Sequence, residues 1–72
     1  MKKIKKIKIR LNGKFVSIDS NLNLLKYVKK LKVSLRKVAI ELNQEIVDKN
    51  NLKKVKLRKN DKIEIVHFIG GG

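Results

Sequence analysis

Cysteine is missing altogether, so neither a disulfide nor a thiolate metal site can form. One histidine and six scattered Asp and Glu residues give no recognisable set of metal ligands, and no metal is expected. Long apolar runs are absent as well. The basic start Met1-Lys2-Lys3-Ile4-Lys5-Lys6 would suit a secretory n-region, but lysines recur through Lys8 where an apolar stretch should follow. Secretion and membrane spanning are therefore not expected, and the cytosol is.

Acidic charge is scarce too. Twenty Lys and Arg against six Asp and Glu leave a formal charge of +14, a balance that ordinarily points to nucleic acid. Seventeen of the twenty are Lys, however, and Lys, Ile and Asn together make 33 of 72 residues. Those are the amino acids that A/T-rich codons supply, so genome composition accounts for the charge at least as well as binding does. With three aromatics and three arginines, the chain has little for stacking on bases or for directed phosphate contacts. Salt-sensitive adhesion to polyanions is expected of any protein this basic, and no specific nucleic-acid role is; a basic nucleic-acid-binding module, with Lys6, Lys8, Arg10 and Phe68 as a charged sheet with an aromatic platform, is the alternative from another class.

Seventy-two residues bound the answer to one small domain with one core. Such a core supplies roughly 3 to 5 kcal/mol without a staple, so the fold must be regular. Ile7, Ile9 and Leu11 alternate with Lys6, Lys8 and Arg10, which predicts a strand with one buried face. Asn12-Gly13 closes a tight hairpin because both residues tolerate positive φ, and Val16 with Ile18 resumes the alternation.

After Asp19-Ser20-Asn21 the period changes. Leu24, Tyr27, Val28 and Leu31 form the stripe of an amphipathic helix, with Asn23 as its cap and Leu22 set to pack on Tyr27. Lys26, Lys29, Lys30 and Lys32 are read onto its polar side, where those of the last turn suit the helix dipole. Val38, Ile40 and Leu42 predict a third strand, Asn43-Gln44 a turn, and Glu45-Ile46-Val47 a short edge strand. Asp48-Lys49-Asn50-Asn51 reads as loop, pinned to the core by Leu52, Val55 and Leu57. Asn60-Asp61 turns into a closing strand, Ile63-Glu64-Ile65-Val66-His67-Phe68-Ile69. The order β-β-α-β-β-β predicts an α+β domain of the β-grasp, ubiquitin-like layout: a mixed sheet of about five strands with one main helix across one face.

One helix leaves a sheet face uncovered. If Ile63 and Ile65 face the helix, then Val66 and Phe68 face away with Glu64, Lys6, Lys8, Arg10, Phe15, Ala39 and Glu41. Phe68, Val66, Ala39 and Phe15 are the candidate docking residues, although a merely solvated face has the same composition. His67 is read as a structural residue rather than a base, since spacing fixes no serine or acid near it. The closing Gly70-Gly71-Gly72 is, by itself, either a frayed end or an arm that presents a carboxylate.

The run Val38 to Val47 together with Asn60 to Gly72 resembles the thiamine-biosynthesis sulfur carrier family. Hairpin, helix, the strand into Asn43, the turn at Asp61 and the terminal glycines occur in the family's order; Gln44 stands where many members have Gly. The resemblance implies residues 1-69 as a β-grasp domain and 70-72 as a flexible glycine tail. It further implies that the C-terminal Gly72 is adenylated with ATP by an E1-like partner and becomes a thiocarboxylate. A sulfur-donating enzyme would supply the sulfur and thiazole synthase would receive it. By the same resemblance Gly70 and Gly71 thread the tail into the partners. The chain would then be a protein co-substrate, not an enzyme, with no cofactor bound, monomeric when free, in the cytoplasm or a plastid stroma.

Two sister families share the fold. The small subunit of molybdopterin synthase commonly carries proline before its glycines, and this chain has none. The carriers of tRNA thiolation are the other; Val66-His67 running into Ile69-Gly70 favours the thiamine branch.

Overall fold

The computed structural model describes residues 5–68. The hairpin forms as the alternation predicts, with β1 at Lys6–Leu11 and β2 at Lys14–Asp19 in antiparallel register, Leu11 opposite Lys14. Asn12 at φ 49° and Gly13 at φ 84° make the turn. A Cβ at Gly13 would meet nothing within 4 Å, so glycine is required there for its backbone angle and not for space.

Helix α1 spans Leu24–Lys30, and the Asn23 side chain caps it by accepting the Lys26 N–H at 2.8 Å. Its buried residues Leu24, Tyr27 and Val28 join Ile9, Ile18, Leu22, Val38, Ile40, Leu52, Leu57, Ile63 and Ile65 in one core. Lys32 lies beyond the C-cap Leu31 rather than on the helix, with φ 58°. It occupies the left-handed position that usually ends a helix on glycine.

Strand β3 covers Val38–Leu42, Asn43-Gln44 turn with φ 51° and 74°, and β4 is the two-residue strand Glu45–Ile46. A short 3-10 helix at Leu35–Lys37, not read from the sequence, leads into β3. The segment read as loop after Asp48 is instead a 3-10 helix over Lys49–Lys54. Asp48 starts it by accepting the Asn50 N–H at 2.8 Å, a local side-chain cap that a search for apolar periodicity cannot detect. Leu52 and Leu57 are buried, and the Leu24 N–H to Val55 carbonyl bond at 2.8 Å ties this connection to the start of α1.

Strand β5, Lys62–His67, completes a sheet of order β2-β1-β5-β3-β4. Among the described residues only β1 and β5 pair in parallel; β5 runs antiparallel to β3. The last strand is thus the middle of the sheet, gripped by both hairpins. Mixed pairing with the final strand central and one helix packed on the apolar face makes the β-grasp. Among the described residues no helix is long and apolar enough to cross a membrane.

Candidate docking and transfer site

Alternation along β5 buries Ile63 and Ile65 and turns Glu64 and Val66 outward. Val66 sits directly opposite Ala39 of β3, and Phe68, just past β5, donates its N–H to the Lys37 carbonyl at 2.9 Å. Val66 is 48% and Phe68 57% exposed. Ile46 of β4, 74% exposed, is the most exposed large apolar side chain described and pairs with Glu41 of the same sheet. It was not among the residues singled out from the sequence, although the two-residue turn before it leaves a strand too short to be covered. Phe68, Ala39, Ile46 and Val47 line an open groove of about 310 Å³, and the Lys49 ammonium lies 5.6 Å from the Phe68 ring centre.

Phe15 does not join this patch. It lies on β2 opposite Arg10, which is opposite Lys62 of β5, so two strand spacings and four residues separate it from Val66. That is roughly 10 Å across the sheet and roughly 13 Å along it. The Arg10 guanidinium stands 4.6 Å and the Lys8 ammonium 5.9 Å from the Phe15 ring centre. The ring is 62% exposed, with cations beside it instead of an apolar centre.

The uncovered face is accordingly split. Its β1–β2 half carries Lys6, Lys8, Arg10 and Phe15, with Lys62 beside them. Its β5–β3–β4 half carries Val66, Ala39, Ile46 and Phe68 together with Glu41 and Glu64. Those two glutamates are directly opposite each other. Lys6 and Asp19, 2.7 Å apart at the far edge, form the ion pair found among the described residues. The Lys6 hydrogen bond, foremost, holds the Asp19 carboxyl below its ordinary value of 3.8.

His67 is exposed at the end of β5, with Val38 opposite, and no group of three His, Cys, Asp or Glu among the described residues could hold a metal. Gly70, Gly71 and Gly72, the residues expected to react and to thread, lie outside the described residues. In sequence they follow the central strand, after Val66 and Phe68.

A β-grasp domain with an apolar patch beside its final strand and a glycine-rich sequence after it belongs to the ubiquitin-like class. Residues 4–72 match the sequence model of the ThiS family, and the chain belongs to that family. The sulfur carrier protein ThiS of Bacillus subtilis is 35% identical over 65 residues, covering 89% of this chain and 98% of that one. The thiazole synthases of Paramagnetospirillum magneticum and Magnetococcus marinus are 39% and 38% identical over 66 residues. Against these two the chain covers only 20% of the relative's length. The crystal structure of the thiamine biosynthesis protein ThiS from Geobacter metallireducens superposes with a TM-score of 0.79 at 29% identity, covering 92% of this chain and all of that one.

Proposed function

We infer that this chain is a sulfur carrier for thiamine biosynthesis whose Gly72 carboxylate carries the sulfur. The observation behind this reading is the extent of the family match, which takes in the apolar patch, β5 and the glycines in one continuous stretch, residues 4–72.

A carboxylate is a poor acyl donor because its leaving group would be oxide. Attack of the Gly72 carboxylate on the α-phosphate of ATP, in an adenylating partner, forms an acyl adenylate and releases pyrophosphate. Hydrosulfide supplied by a donor enzyme then attacks the acyl carbon; the C–S bond forms, the bond to the phosphate oxygen breaks, AMP leaves and the thioacid loses its proton. The resulting thiocarboxylate passes its sulfur to a thiazole synthase, and the similarity to a 66-residue stretch of two such synthases favours that partner.

The chain's part is recognition and delivery. Glycines at 70, 71 and 72 have no Cβ, so they suit a narrow channel and backbone angles closed to other residues. Extended, three residues reach at most about 10 Å, enough to enter a pocket while the domain stays outside. The patch of Val66, Ala39, Phe68 and Ile46 is the docking surface, and Glu41 and Glu64 direct it to a partner that is apolar and basic. No side chain of this chain performs the chemistry, so it acts as co-substrate and not as enzyme. Incubation with the adenylating partner, ATP and a sulfur donor, followed by intact-mass measurement, tests the proposal.

A further inference from the structure

Two asparagines play the same unusual part on opposite sides of β5. In the parallel β1–β5 ladder the Asn12 N–H donates to the Ile63 carbonyl at 2.9 Å, and the next rung would run from the Ile65 N–H to the Asn12 backbone carbonyl. That carbonyl is unavailable, because Asn12 at φ 49° has already turned into the hairpin. Its side chain takes over. Asn12 Oδ1 accepts the Ile65 N–H at 2.8 Å, and Asn12 Nδ2 donates to the Ile65 carbonyl at 3.4 Å.

Asn43 repeats the device on the β3 side. Its N–H donates to the Lys62 carbonyl at 2.8 Å, while its backbone carbonyl is turned away by φ 51°, so Oδ1 accepts the Lys62 N–H at 2.9 Å instead. Asn43 Nδ2 reaches Asp61 Oδ1 at 3.2 Å, and Asp61 Oδ2 accepts the Arg58 N–H at 2.8 Å, which fixes the turn entering β5. Asparagine meets both demands, tolerance of positive φ and an amide that imitates a peptide group. Glycine would supply the angle without the bonds.

The Asn12 bonds are also the last described attachment of β5 to the β1 side. Beyond Ile65 the strand is tied on the β3 side, by Val66 to Ala39, His67 to Val38 and Phe68 to Lys37. We propose that Asn12 and Asn43 are positioning residues that fix β5 between the two hairpins, and so fix the strand from which the chain continues towards Gly72. This rests on the carrier reading. The docking patch stays registered through β3, so loss of the Asn12 clamp acts on presentation of the C-terminus rather than on docking.

Asn12→Gly keeps the turn and removes both side-chain bonds to Ile65; Asn43→Gly keeps its turn and removes those to Lys62 and Asp61. In the full-length chain, amide exchange at Ile65 should rise roughly fivefold or more in the first variant, and at Lys62 in the second, beyond any rise at Leu57, whose amide bonds to Leu22 away from β5. In thiocarboxylation by the adenylating partner and sulfur donor, kcat of the Asn12→Gly chain should fall by a similar factor with KM unchanged, below the melting temperature. Equal acceleration at Ile65 and Leu57, or an unchanged kcat, would overturn the positioning role and leave the asparagines as turn formers. A wild-type chain that gains no sulfur would instead overturn the carrier reading and the role built on it, while the exchange comparison would still judge the clamp itself.

Discussion

Glu41 and Glu64 face each other across the β3–β5 ladder, two like charges in the acid-poor chain placed side by side on the uncovered face. Directly opposed like charges destabilise a sheet. A use at an interface would offset that cost. Glu64→Gln should therefore raise the urea midpoint slightly and weaken binding to the adenylating partner, most strongly at low salt. Higher stability with unchanged binding would remove the glutamates from the docking surface.

Phe68 and Phe15 separate the two halves of that face. Phe68→Asp should raise KM for adenylation about tenfold or more, the effect of losing an apolar anchor, with little change in stability because the ring is 57% exposed. Phe15→Asp should leave KM within about twofold, since a loss below 0.5 kcal/mol is expected outside the patch. Steady-state kinetics on both variants decides between a patch confined to β5–β3–β4 and one that spans the sheet.

The cap on α1 gives a stability prediction. Asn23→Ala removes the acceptor for the Lys26 N–H and should cost about 1 kcal/mol in urea unfolding. In a domain of this size that is a large share of the total.

Asp19 sets part of the acid limb. Its folded-state pKa lies below the ordinary 3.8, chiefly through the Lys6 hydrogen bond, so the stability it adds is present above 3.8 and is lost as pH falls through the depressed value. The pair is exposed, and the contribution is correspondingly small. Asp19→Asn should flatten the acid limb below 3.8 and leave the slope near neutral pH unchanged, as read from thermal melts across that range.

Much of the fold is legible because its signals are local and strong. The alternation around Ile9 and Ile40, the left-handed turn at Asn12-Gly13 and the Asn23 cap each follow from residue type and spacing. The 3-10 helix after Asp48 was hidden because it rests on one side-chain hydrogen bond and has no apolar period. Phe15 was grouped with Val66 because alternation assigns a face but not a place on it; the place depends on strand order and register. The contacts of Asn12 with Ile65, 53 residues away in sequence, are invisible for the same reason. The exposure of Ile46 likewise depends on register, which sets it opposite Glu41 on the uncovered face.

The central claim comes down to one carboxylate. Given the adenylating partner, ATP and a sulfur donor, the intact chain should gain the mass difference between sulfur and oxygen, and the same chain lacking Gly72 should not. Equal modification of the truncated chain, or no mass gain by the intact one, would contradict the account.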